Sequence, residues 1–213
     1  MNKKILISTG GSGGHVIPAT IIYKHLEDNF DVSMTSDVRG IKFLNKDEYN
    51  LKIFNVKPIS KNLLIMPFDF LLILILIFKS ISFLRKNKIN ILISTGGYMS
   101  LPLCLGAKIL NIKLLLFEPN MVLGRSNKFF ISYCQKIFCY SNNVKKFPIK
   151  FKNKIKVIPA LLRKIFYDNK DSNNSLDRIN LLIIGGSQGA KIFDDLVKNT
   201  IIKLSKKYKL KIY

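Results

Sequence analysis

The sequence predicts a doubly wound α/β fold, a parallel sheet with helices on both faces, and three observations predict it. First, an apolar run ending in paired glycines and followed by a helical pattern occurs three times. The copies are Ile5-Leu6-Ile7-Ser8-Thr9-Gly10-Gly11, Ile91-Leu92-Ile93-Ser94-Thr95-Gly96-Gly97-Tyr98 and Leu181-Leu182-Ile183-Ile184-Gly185-Gly186-Ser187-Gln188-Gly189. Second, these runs are continuously apolar rather than alternating, as in strands of a parallel sheet buried on both faces. Third, strand and helix patterns alternate along the chain. Ligands of such sheets bind beyond the carboxyl ends of the strands, where these glycines lie.

The elements follow in order. After the first strand, a helix is expected from near Val16 to Leu26, with Pro18 in its first turn and Ile17, Ile21, Ile22 and Leu26 turned to the sheet. Strands are expected at Asp31–Met34, Leu51–Val56, Lys113–Phe117, Ile137–Tyr140 and Lys156–Ile158, and helices at Phe68–Arg85, Leu101–Leu110 and Asn127–Tyr133. From Asp168 to Arg178 the composition turns to Asn, Asp and Ser, which reads as a loop. The expected organisation is therefore a first α/β domain over residues 1–160, a linker over 161–178 and the start of a second domain over 179–213. A strand at Leu181–Ile184, a helix at Ala190–Leu204 and a strand at Lys209–Tyr213 make one β-α-β unit. One such unit cannot bury both faces of its sheet, so most of the second domain is expected to lie outside this sequence.

Composition narrows the function classes. Apolar residues make up 48% of the 213, ample for a core. Cys104, Cys134 and Cys139 form no CxxC pair and read as buried, reduced thiols of a cytosolic protein. Met1-Asn2-Lys3-Lys4 leads into an apolar stretch that breaks at once into glycines, unlike a signal peptide. The net charge of +22 points to an anionic partner, or to a Lys-, Ile- and Asn-rich coding bias. No aromatic-interleaved basic motif of a nucleic-acid binder is visible, so nucleic acid is not an expected partner.

The apolar run from Leu63 to Phe78 falls short of the roughly 20 clean residues of a membrane span, because Pro67 and Asp69 interrupt it. Basic residues frame it: Lys57 and Lys61 before, Lys79, Arg85, Lys86 and Lys88 after. An apolar segment in a basic frame can dock on an anionic membrane face without crossing it, and a buried core helix is the competing reading.

The cluster Gly10-Gly11-Ser12-Gly13-Gly14-His15 carries the strongest chemical signal. Without Cβ atoms the backbone can approach a ligand closely, and the helix that follows opens with free N–H groups that favour a phosphate. Four motifs occur in order: GGSGGHVIP from Gly10 to Pro18, Gly96-Gly97-Tyr98 with Ser100, Glu118-Pro119-Asn120 with Gly124 and Asn127, and GGSQGA from Gly185 to Ala190. Together they resemble the MurG family, and the resemblance covers essentially the whole chain. It implies a two-domain glycosyltransferase fold of the B type. It also implies transfer of N-acetylglucosamine from UDP-N-acetylglucosamine to an undecaprenyl-linked muramyl-peptide, the lipid-linked precursor of peptidoglycan. The implied location is peripheral, on the cytoplasmic face of the bacterial inner membrane.

By that resemblance Ser12, Gly13 and Gly14 form the loop that contributes donor contacts and holds the acceptor diphosphate, with Ser12 where Thr is usual. Asn120 and Ser187 match donor-contacting residues, with Pro119 in place of the usual Gln. Arg163 aligns with a donor-contacting Arg, although Pro159-Ala160-Leu161-Leu162 replaces the usual Gly-Asn-Pro before it. Phe70, Leu74, Phe78, Lys79 and Arg85 fall in the membrane-docking patch. The family's uridine pocket lies further along than Tyr213, so the chain reads as a fragment or half of a split enzyme, completed by a second chain.

An inverting transfer needs a base for the attacking hydroxyl and stabilisation of the departing diphosphate. His15 is the expected base, since imidazole suits proton transfer near neutral pH. Glu118 at a strand end is the second candidate, against a loop-capping role. Backbone N–H groups would hold the diphosphate. No metal-ligand spacing is present and no cofactor is expected. Two rivals remain open: a non-catalytic, membrane-associated relic of the fold, and a dinucleotide-binding oxidoreductase with Asp37 as its ribose-binding acid.

Overall fold

In a computed structural model, residues 3–56, 66–164, 166, 179–183 and 197–212 are described. The chain forms two compact units, Met1–Asp168 and Asn169–Tyr213. In the first, seven strands make one parallel sheet: β1 (Lys4–Ser8), β2 (Asp31–Ser36), β3 (Leu51–Ile53), β4 (Ile91–Ser94), β5 (Lys113–Glu118), β6 (Lys136–Cys139) and β7 (Ile155–Val157). Their order is β3-β2-β1-β4-β5-β6-β7. The order reverses between β1 and β4, so the crevice for a ligand opens at the carboxyl ends of those two strands.

The register there makes the two glycine turns neighbours. Ile5 pairs with Ile91, and Ser8 with Ser94. The identical heptapeptides Ile5–Gly11 and Ile91–Gly97 therefore run side by side. Beyond the last paired residues, the Thr95 hydroxyl donates to the Thr9 hydroxyl at 2.8 Å.

Helix α1 (Gly13–Leu26) packs on one face of the sheet with Ala19 and Tyr23 against Ile5, Ile7, Val32, Met34 and Ile93. It starts at Gly13 rather than near Val16, because Ser12, extended at φ −116° and ψ 160°, is its N-cap. Val16 is buried and Ile17 is exposed, contrary to the expected inner face. The apolar residues of this helix span more than one stripe, so periodicity alone could not set its rotation.

On the opposite face, α2 (Met66–Lys86) and α3 (Leu101–Ile109) lie together, with Leu84, Leu103, Cys104 and Ala107 in a core shared with Leu6, Leu92, Leu114 and Leu116. The short α4 (Arg125–Phe130) follows β5 and ends three residues before the expected limit at Tyr133. All three cysteines are free and buried, and burial pushes the Cys104 thiol up to about 12.

In the second unit, β8 (Ile179–Leu181) pairs in parallel with β9 (Leu210–Ile212), and α5 (Lys198–Ser205) lies between them in sequence. The strand begins two residues before the expected Leu181. The third glycine turn, Gly185 to Ala190, lies outside the described residues.

Candidate functional site

The first turn leaves β1 through Gly10 and reverses at Gly11, whose φ of +80° is a left-handed conformation that disfavours a side chain. The Gly11 N–H donates to Asp37 Oδ1 at 2.8 Å. Helix α1 then opens with the amides of Gly13 and Gly14, which have no partner one turn earlier in a helix. Ser12 gives them no side-chain cap. The Phe43 ring backs Gly13, and a Cβ on Gly14 would meet nothing nearer than Ser12 Oγ at 3.7 Å. Three expected binding residues, Ser12, Gly13 and Gly14, thus form one accessible helix opening that favours an anion.

His15 stands between the two glycine turns. Its Nδ1 lies 2.7 Å from the Thr95 carbonyl oxygen. A carbonyl only accepts, so Nδ1 carries the hydrogen, and in the neutral ring Nε2 carries the lone pair. Gly96, at φ +92°, makes room for the ring: a Cβ there would stand 3.3 Å from His15 Cε1 and 3.4 Å from Asn127 Nδ2.

Asn127 fastens α4 to the end of β5. Its Nδ2 donates to the Phe117 carbonyl and to Glu118 Oε2, both at 3.0 Å. Glu118 is 1% exposed and accepts three further hydrogen bonds. Oε2 takes the Gly124 N–H at 2.8 Å, and Oε1 takes the Asn120 backbone N–H at 3.1 Å and Nδ2 at 2.9 Å. A carboxylate that accepts three N–H groups from the loop after β5 and one from Asn127 of α4 organises that loop. Asn120 itself is exposed at the strand's carboxyl end.

The other expected residues lie apart. Arg163 is exposed and lines a groove of about 370 Å³ with Ile17, Thr20, Lys24 and Tyr49, on the outer side of α1. Ser187 lies outside the described residues. His25 hydrogen-bonds the Leu162 carbonyl through Nε2 at 3.1 Å. Among the described residues, no group of three or more His, Cys, Asp and Glu could hold a metal ion.

Asp37 does not fit the role of a ribose-binding acid. It is buried, and Oδ1 accepts from the N–H groups of Gly11 and Gly40 at 2.8 and 2.9 Å. Oδ2 accepts from Arg39 Nε and Nη2 at 3.0 and 2.9 Å. Burial alone would raise the Asp37 carboxyl, but these four donors outweigh it and hold it below the ordinary carboxylate value. Sequence reading kept Asp37 only as the acid of a rival reading and gave Arg39 and Thr95 no part in the site. The repeated Ser-Thr-Gly-Gly was the signal that could have found Thr95.

Helix α2 presents an apolar stripe outward. Leu71, Leu74, Ile75 and Phe78 are exposed at helical spacing, Phe78 at 71%. Lys79 and Arg85 are exposed near its carboxyl end. The inward side carries Ser80 and Leu84, both fully buried. Phe70 belongs to this helix, but its side chain lies outside the described residues. Among the described residues, no helix is long and apolar enough to cross a membrane.

Residues 5–139 match the model of the glycosyltransferase family 28 N-terminal domain. Over its whole length the chain is 87% identical to a Pelagibacter ubique (strain HTCC1062) protein named UDP-N-acetylglucosamine–N-acetylmuramyl-(pentapeptide) pyrophosphoryl-undecaprenol N-acetylglucosamine transferase, of which it covers 60%. A Rickettsia canadensis (strain McKiel) protein of the same name is 32% identical over 99% of the chain and 60% of the relative. Among solved structures, MurG of Acinetobacter baumannii superimposes with a TM-score of 0.73 at 25% identity, over 99% of this chain and 60% of that one. The resemblance drawn from the glycine motifs stands on these findings, as does the B-type glycosyltransferase fold. The chain spans about 60% of the length of the curated relatives it matches.

Proposed function

The chain belongs to the glycosyltransferase family 28 by its N-terminal domain, and from that premise we propose that it is the acceptor-side part of an inverting N-acetylglucosaminyltransferase. The donor is UDP-N-acetylglucosamine and the acceptor an undecaprenyl-diphosphoryl muramyl-pentapeptide. The first α/β domain, residues 1–160, takes the acceptor and docks on the anionic cytoplasmic face of the inner membrane. The segment from residue 179 begins the donor-binding domain and carries Ser187 as a contact to the nucleotide sugar; Asn120 of the first domain and Arg163 of the linker are assigned the same ligand.

The observation that carries the reading is the clamped imidazole of His15. The Thr95 carbonyl fixes its tautomer, and Nε2 holds the lone pair beside the anion-favouring opening of α1. In the reaction Nε2 takes the proton of the acceptor hydroxyl as that oxygen attacks the anomeric carbon. The bond from that carbon to the diphosphate breaks, and UDP leaves with the electron pair. Backbone N–H groups of the glycine turns stabilise the diphosphate charge. Glu118 acts through the loop it organises and positions Asn120.

The test supplies the remaining part of the Pelagibacter ubique relative as a separate polypeptide and measures sugar transfer by the mixture. Transfer is expected with both pieces, and persistent silence favours the relic. In the active mixture His15→Ala should lower turnover by about 100-fold or more while leaving UDP-N-acetylglucosamine affinity within a few-fold. Undiminished turnover removes His15 from the chemistry.

A further inference from the structure

Arg39 is the strongest candidate that the reading so far leaves without a task. It follows β2 at the same carboxyl edge as the glycine turns. A Cβ on Gly11 would stand 3.5 Å from Arg39 Nη2, so the guanidinium lies directly against the turn. Two neighbours fix it there. Buried Asp37 takes Nε and Nη2 in a bidentate pair at 3.0 and 2.9 Å. The Tyr98 ring, from the second glycine turn, lies with its centroid 5.0 Å from the guanidinium carbon.

This is an unusual amount of support for a surface cation. The Arg39 side chain is 51% exposed while Asp37 is 2% exposed. Arg39 is the counter-charge of a buried carboxylate, yet half of its own side chain stays in solvent. A guanidinium has five N–H donors, and Asp37 occupies two of them. Asp37 holds one edge of the guanidinium, and Tyr98 lies beside it. Planar donors held rigidly match the oxygens of phosphate groups.

We infer that Arg39 is a diphosphate-binding residue, held against the first glycine turn by Asp37 and Tyr98 as positioning residues. This rests on the proposed function and deepens it. The helix opening at Gly13 and Gly14 supplies neutral N–H groups, and Arg39, against Gly11, supplies the formal positive charge. The diphosphate it takes is the one that links lipid to sugar in the acceptor. Asp37 offsets part of that charge, so binding relies on the directed donors as much as on attraction. The arrangement also gives Asp37 a purpose that its burial denies it as a ribose ligand. Gly11 lacks a side chain because its φ of +80° disfavours one, and Arg39 Nη2 lies 3.5 Å from where a Cβ would stand.

The test titrates the full 213-residue chain with geranyl diphosphate, a soluble lipid diphosphate, and with UDP, by calorimetry at fixed ionic strength. Arg39→Gln should weaken geranyl diphosphate by about tenfold or more, with UDP changed less than threefold, in a variant that still unfolds cooperatively. Arg39→Lys keeps the charge but not the fork, and should fall between the two. Should Arg39→Gln fail to fold, Arg39→Lys decides alone, and parental affinity in it overturns the inference. So does parental affinity in folded Arg39→Gln, or a loss confined to UDP. Gly14→Asp places a carboxylate at the helix opening and tests the turn separately. If it abolishes geranyl diphosphate binding while Arg39→Gln does not, the Arg39 assignment falls and the turn stands. No saturable binding by the parent chain overturns both.

Discussion

Removing the Glu118 carboxylate separates a structural from a chemical role at this site. Four N–H groups point at it: two from Asn120, one from Gly124 and one from Asn127. Asn120 is exposed, so water replaces the acceptor for its two groups at little cost. Asn127 is 2% exposed, and the Gly124 N–H turns inward to the same buried carboxylate. In Glu118→Ala these two inner donors lose their partner, at about 1–3 kcal/mol for each buried group. Allowing Asn127 Nδ2 its second acceptor, the Phe117 carbonyl, the expected loss is about 2–4 kcal/mol. At about 2–4 °C per kcal/mol for a domain of this size, the melting midpoint should fall by about 5–15 °C. Glu118→Gln keeps the shape but turns an NH₂ group toward N–H donors, and should lose about half as much.

Thermal unfolding followed by circular dichroism reads this directly, with transfer activity measured on the same variants well below their midpoints. Activity should fall with loop order, and Glu118→Gln should retain more of it than Glu118→Ala. A Glu118→Ala protein that melts within about 1 °C of the parent but has lost turnover by orders of magnitude refutes the reasoning. The carboxylate would then be spending its hydrogen bonds without structural effect, and would be the base in place of His15.

Two further outcomes are expected. Leu74→Asp with Phe78→Asp places charges on the exposed stripe of α2 without touching its buried side, and should cut pelleting with anionic vesicles by about tenfold or more while leaving the fold intact; unchanged pelleting removes the docking face. Asp37, held below its ordinary value, contributes stability that is present above about pH 4 and is lost as pH falls through its folded-state value, so Asp37→Asn should flatten the acid limb of a urea-midpoint profile, and an unaltered limb there contradicts the assignment.

Much of the fold was legible because buried parallel strands need unbroken apolar runs, and because glycines mark where such strands hand over to helices. What stayed hidden depended on rotation and on partners distant in sequence. Helix α1 is apolar around too wide an arc for periodicity to choose Val16 over Ile17 as the buried residue. The start of the same helix was misjudged because glycine is a poor helix former, yet Gly13 and Gly14 form its first turn. The acid at the end of β2 fits a ribose ligand by position, and only its hydrogen bonds to Gly11, Gly40 and Arg39 show that it is already engaged.

The same limit explains the site. A glycine turn followed by histidine can be read from one segment, but the proposed role of His15 as base needs a settled tautomer, and that comes from Thr95, 80 positions away. The link between them is sheet register. Parallel pairing of β1 with β4 sets two copies of Ile-Leu-Ile-Ser-Thr-Gly-Gly side by side, so the Thr carbonyl of one copy meets the imidazole that follows the other. A repeated heptapeptide at the two strands flanking a topological switch point is therefore more than a sign of two similar strands. Each copy supplies what the other lacks: the first an anion-favouring helix opening and its histidine, the second the acceptor that orients the ring and the glycine that admits it.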